Sequence, residues 1–88
     1  MYKAEIKVML KPGVLDPQGK AVAGGLSSMG YNQVESVRVG KYIEVFLRAD
    51  SQADAERQVA EMTHRLLANP VIETYQYTLV PVESEEVS

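Results

Sequence analysis

The 88-residue chain has no cysteine and only one histidine. The first absence excludes disulfides, thiolate metal sites and a cysteine nucleophile. The second leaves His64 without a companion imidazole, so it reads as a solvated surface residue rather than a metal ligand. A long apolar run is also missing. The N-terminal stretch MYKAEIKVML alternates polar and apolar residues and fits neither a signal peptide nor a membrane span. The chain therefore reads as soluble and cytoplasmic, with no membrane partner. Positive charge is not in excess either: nine basic against twelve acidic residues give a net charge of −3. Glu83, Glu85 and Glu86 account for that surplus, which leaves the remaining body neutral. A nucleic-acid footprint is excluded by this balance, and little charge remains to discourage association.

Catalytic motifs are missing as well. The glycine cluster AGGLSSMG is not spaced G-x-G-x-x-G, and no Gly-Lys-Ser/Thr follows it. Ser27 and Ser28 have no identifiable base. Glu44 and Glu73 fall on strands, where carboxylates are ordinarily solvated or ion-paired. No self-contained active site, metal site or cofactor site can be assigned.

What is present is periodicity. Residues 2–11 alternate strictly, with Tyr2, Ala4, Ile6, Val8 and Leu10 on one face, as in a half-buried strand. The stretch KPGVLDPQGKAV follows. Pro12-Gly13 ends the strand, and Asp16 stands before Pro17 as an N-cap acid preceding the residue best tolerated in a first helical turn. Gln18 and Gly19 have no such role, since glycine in a first turn costs backbone entropy. A helix is expected over 17–29, with Val22, Leu26 and Met29 as its apolar positions and Gly30 as the C′ residue. Gly24-Gly25 lies within it at a cost of about 1 kcal/mol each relative to alanine. With Ala21 and Ser28 this pair gives the helix a small-residue surface.

Two strands are expected next, over 33–39 and 42–48, joined as a hairpin at Gly40-Lys41. Keeping Val37 and Val39 on the face of Ile43 and Val45 requires a bulge, with Gly40 as its glycine. Arg38 and Glu44 would then project from the sheet face opposite the helices, with Lys41 at the tip. Asp50 or Ser51 caps a second helix running to about residue 68, with Ala55, Val59, Met62 and Leu66 as its buried stripe. Asn69-Pro70 stops it. A last strand spans 71–80, before Pro81 and an acidic tail.

The order β-α-β-β-α-β predicts a single α+β domain over residues 1–80 with a disordered tail over 81–88. The fold class is ferredoxin-like: one antiparallel sheet with two helices on one face. The open face would carry Lys3, Lys7, Met9, Tyr42, Glu44 and Phe46, a mixed surface suited to meeting a second subunit. RNA binding of the RRM type shares this topology. However, strand one offers no stacking aromatic, and Glu44 stands between Tyr42 and Phe46. A free-standing ACT-like module binding a small ligand is a further alternative and would use the loop at 11–19.

Three stretches, KPGVLDPQGKAV, VESVRVGKYIEV and LLANPVIETY, resemble signature segments of the PurS family, from strand one to about Tyr77. That family is the small subunit of phosphoribosylformylglycinamidine synthase. The resemblance implies a role in de novo purine synthesis, where formylglycinamide ribonucleotide, glutamine and ATP yield formylglycinamidine ribonucleotide. It implies an ATP-dependent, glutamine-amidotransferring C–N ligase complex. In such a complex the synthetase and glutaminase subunits use ATP, Mg and glutamine, while the PurS-type chain is non-catalytic. It further implies a homo-oligomer, dimer or tetramer, that assembles those two enzymes and aids ammonia transfer. The interface or motif positions carried over are Lys11, Gly13, Asp16, Pro17, Gln18 and Gly19 from the first stretch. The second supplies Arg38, Gly40, Lys41 and Glu44, and the third Leu67, Asn69, Pro70, Val71, Ile72 and Glu73.

Overall fold

A computed structural model describes residues 1–83; the end of the acidic tail lies outside the described residues. Strand β1 (Tyr2–Leu10) is followed by helix α1 (Pro17–Ser28) and strand β2 (Lys41–Leu47). Helix α2 (Gln52–Met62) then continues into a π-helical turn (Thr63–Leu67), and β3 (Glu73–Pro81) closes the order. The sheet is antiparallel with strand order β2-β1-β3. Its two helices match the ferredoxin-like fold class expected from the sequence, with one strand of that plan unformed.

The alternation in β1 sets the core. Ala4, Ile6 and Val8 are fully buried, as are Ala55 and Val59 of α2. Ile43, Val45 and Leu47 of β2 and Tyr75, Tyr77 and Leu79 of β3 flank them. Register agrees with the pattern: Ile6 stands opposite Ile43 on one side and Tyr77 on the other. Burial of three apolar side chains in β1, at about 1.5–3 kcal/mol for each large one, fixes which face of the sheet meets α2.

Three expectations are corrected. Residues 33–39 do not form a strand, and there is no hairpin at Gly40. Residues 34–40 contain neither turn nor bend, and Gly40 is not among the glycines with positive φ, which are Gly13 and Gly30. The chain instead runs on directly into β2. Gly40 is needed for close approach, because a Cβ there would meet Met9 Sδ and the Val8 carbonyl.

Second, α1 is not packed on the sheet. Only Gly19 of its residues is buried, and the molecule measures 51 × 30 × 16 Å. Third, Leu66 is not part of the buried stripe: it is 81% exposed, and Thr63 and Ala68 are buried in its place. The cause is the π turn, in which the Ala68 amide donates to the Thr63 carbonyl, i to i+5, at 2.9 Å. A wider turn rotates the later residues, so Ala68 rather than Leu66 follows Thr63 on the core side.

Candidate functional site

The first stretch builds a cap that does more than start a helix. Asp16 is the N-cap of α1, with Pro17 at the first helical position. Its Oδ1 accepts the Gly19 amide at 2.9 Å, and its Oδ2 accepts the Val39 amide at 2.9 Å. These hydrogen bonds, Gly19 first and Val39 second, hold the Asp16 carboxyl below its ordinary value, helped by the charge of Arg38. Gly19 is buried because residues 35–37 return alongside it: a Cβ there would meet the Val37 carbonyl oxygen, and Asp16 Oδ2 at 2.7 Å. The bare backbone of Gly19 is therefore used within its own chain, while the neighbouring Gln18 is exposed. Gly13, at φ 87°, makes the turn after β1.

The second and third stretches arrive at the same end of the sheet. Arg38 donates to the Leu10 carbonyl. Lys41 is the first residue of β2, not the tip of a turn. Its ammonium lies 3.6 Å from Glu73 Oε2 and 3.4 Å from the Leu67 carbonyl. Glu73 also accepts the Asn69 amide through Oε1 at 2.6 Å. Asn69 organises the turn into β3: its Oδ1 accepts the Val71 amide at 3.1 Å, and its carbonyl accepts the amides of Ile72 and Glu73. The Lys11 amide closes the ring by donating to the Ile72 carbonyl at 2.8 Å. Asp16, Pro17, Gln18, Gly40, Lys41 and Glu73 thus line one cleft of about 270 Å3, which none of the three stretches forms alone. Pro70 is half-buried, and Val71 and Ile72 are exposed beside it.

Glu44 lies elsewhere, on the open face. It stands directly opposite Glu5 across the β1–β2 ladder. Like charges facing one another across strands are destabilising, and here Lys3 bridges them, at 3.5 Å from Glu5 and 3.6 Å from Glu44. Desolvation works to lower the Lys3 pKa, but Glu44 and Glu5 together outweigh it and raise the value. The Tyr42 hydroxyl lies 3.1 Å from Glu5 and 3.2 Å from Glu44. Its single proton serves either carboxylate, not both at once. Desolvation first, then these two hydrogen bonds, push the phenol up to about 12. Sequence reasoning placed Lys3, Tyr42 and Glu44 on this face but missed the cluster, since only register brings Glu5 opposite Glu44.

A larger groove of about 620 Å3 runs between the two regions, lined by Lys7, Met9, Arg38, Lys41, Tyr42 and Gln76, among others. It presents three cations and no carboxylate. Among the described residues no group of three or more histidine, aspartate or glutamate side chains could hold a metal ion. None of the described helices is long and apolar enough to cross a membrane.

Fold and site together define a small α+β protein whose distinctive residues build turns, caps and surface clefts. The PurS family model, phosphoribosylformylglycinamidine (FGAM) synthase, matches residues 3–81. The chain is 48% identical over 85 residues to the phosphoribosylformylglycinamidine synthase subunit PurS of Bacillus subtilis, covering 97% of this chain and 100% of that one. Its structure resembles that of B. subtilis PurS in a C2 crystal form, with a TM-score of 0.82 at 49% identity over 92% of this chain and 100% of that one. A chain of the PurLQS structure from Thermotoga maritima matches with a TM-score of 0.80 at 29% identity, over 90% of this chain and 96% of that one.

The chain belongs to the PurS family, subunits of FGAM synthase, the glutamine-amidotransferring ligase of purine biosynthesis. A free-standing ACT-like regulator is not favoured by these likenesses.

Proposed function

We propose that the chain works in the cytoplasm as the assembling subunit of FGAM synthase, joining a synthetase subunit to a glutaminase subunit and aiding passage of ammonia between them. In this reading ATP, Mg and glutamine are used by the partners, and the chain itself associates as a dimer or tetramer. The observation that carries the reading is the convergence of three sequence-distant stretches on one end of the sheet, in a cleft with docking character and no nucleophile. Gln18 and Lys41 line that cleft with Glu73. The Gln18 side chain makes no hydrogen bond within the described residues, which leaves its amide free for a partner, whereas Lys41 is already engaged by Glu73.

Reconstitution tests this. Adding the chain to the purified synthetase and glutaminase should raise glutamine-dependent FGAM formation sharply, with no glutaminase activity from the chain alone. Gln18→Ala should weaken that stimulation several-fold and leave the melting temperature unchanged. Equal activity with and without the chain overturns the assembly role. Undiminished stimulation by Gln18→Ala removes Gln18 from the docking surface.

A further inference from the structure

The open face of the sheet is divided by charge. Toward one end Glu5 and Glu44 face each other, held by Lys3 and the Tyr42 hydroxyl. Toward the other end lies the groove of about 620 Å3, which contains Lys7 and Arg38 and no carboxylate. Strand register builds its floor. Lys7 stands between Tyr42 on β2 and Gln76 on β3. In the next row Met9 faces Thr74 on one side and lies against the bare backbone of Gly40 on the other. A side chain at Gly40 would meet Met9 Sδ, so the depression depends on that glycine.

The positive charge in this groove has no counter-charge of its own. Lys41 also lines it, but that ammonium is taken by Glu73. Neither Lys7 nor Arg38 forms an ion pair among the described residues. Arg38 donates from one guanidinium nitrogen to the Leu10 carbonyl, a neutral partner, and a guanidinium has further N–H donors to offer. Its charge reaches Asp16, yet both oxygens of that carboxylate are engaged by backbone amides.

Two such cations match a phosphomonoester dianion, and guanidinium geometry suits phosphate oxygens. A lone carboxylate would leave one of the two charges uncompensated. Beside them the lining is the Tyr42 ring with the apolar atoms of Met9 and Pro12. A wall of that kind suits a flat heterocycle, since nucleic-acid bases stack on aromatic side chains. The volume falls within the roughly 300–1,000 Å3 of small-molecule sites, which leaves room for more than an inorganic ion.

We infer that this groove binds a nucleoside monophosphate, with its phosphate at Lys7 and Arg38 and its base against Tyr42. The groove shares Gly40 and Lys41 with the cleft of Gln18, but not that cleft's carboxylates, Asp16 and Glu73. The site therefore stands whether or not the enzymes assemble on this chain.

Titration calorimetry on the isolated full chain at low ionic strength tests this, with AMP, inorganic phosphate and adenosine as probes. AMP should bind saturably and at least tenfold more tightly than inorganic phosphate, and adenosine should give no saturable heat. Lys7→Gln should weaken AMP at least tenfold, whereas Lys20→Gln, which removes the same charge from α1, should not. Absence of AMP binding, equal binding of AMP and phosphate, or equal loss in the two variants overturns the site. Binding of a glutamate-rich peptide in place of AMP also overturns it and assigns the groove to a protein partner. A second measurement needs no variant. On adding AMP to wild type, amide resonances of Lys7, Gly40, Tyr42 and Gln76 should move, and movement confined to other residues overturns the site.

Discussion

Asp16 and Val39 lie twenty-three residues apart, and the carboxylate of one accepts the amide of the other at 2.9 Å. The same carboxylate accepts the Gly19 amide, so one side chain joins the start of α1 to the segment that returns beside it. The extended segment before β2 is also held to β1, where Arg38 donates to the Leu10 carbonyl.

Asp16→Ala is therefore expected to speed hydrogen exchange at the Gly19 and Val39 amides at least tenfold and to leave the Ile6 amide protected. Its pH dependence has a definite sign. The folded pKa lies below the ordinary 3.8, so the contribution to stability is complete above about pH 4 and is lost as pH falls through the folded value. An acid titration followed by circular dichroism should show wild type losing more stability than Asp16→Asn in that window. Parallel curves would contradict the role.

Tyr42 should ionise well above the ordinary range of a phenol. Its pKa of about 12 against an ordinary 10.0 means its contribution is present below pH 10 and lost as pH rises through 12. In an ultraviolet titration the highest-pH transition should vanish in Tyr42→Phe and move down in Glu44→Gln. A Tyr42 that titrates at the ordinary 10.0 would show that the Glu5–Tyr42–Glu44 contacts do not persist in solution.

Glycines of α1 should respond in opposite directions. Gly19→Ala forces a Cβ toward the Val37 carbonyl and Asp16, and is expected to cost about 1–3 kcal/mol in denaturant unfolding, as overpacking does. Gly24 and Gly25 have open space around the added carbon. Gly24→Ala is expected to gain about 0.5–1 kcal/mol from helix propensity alone. Equal effects at positions 19 and 24 would contradict the close approach of residues 35–37.

The π turn after α2 makes a prediction about neighbours. Leu66→Ala should change stability by less than about 0.5 kcal/mol, while Leu67→Ala, which packs against the core, should cost about 1–2 kcal/mol. Thr63 is fully buried and its hydroxyl has no hydrogen-bond partner. Thr63→Val keeps the shape, removes the unpaired hydroxyl and is expected to stabilise by about 1 kcal/mol. Thermal or denaturant unfolding of the three variants checks the set, and a costly Leu66→Ala would restore a regular α-helix.

The sequence alone determined whatever rests on local pattern. Strict alternation put Ala4, Ile6 and Val8 in the core, Asp16-Pro17 set the start of α1, and Gly30 took the positive φ that ends it. Each depends on neighbours within a few residues, where side-chain period and backbone preference act directly. Tertiary structure decided the rest. The valines before Gly40 look like a hairpin strand, but nothing local says whether a chain turns at a glycine or passes straight, with its backbone close against Met9 and Val8. The stripe through Leu66 assumed 3.6 residues per turn, and one i+5 hydrogen bond changed which residues face inward. Asp16 and Glu73 were legible separately as cap and strand residues, whereas Lys41, expected at the tip of a turn, opens β2. Their meeting in one cleft follows from strand register and chain return, which are long-range pairings that no local period encodes.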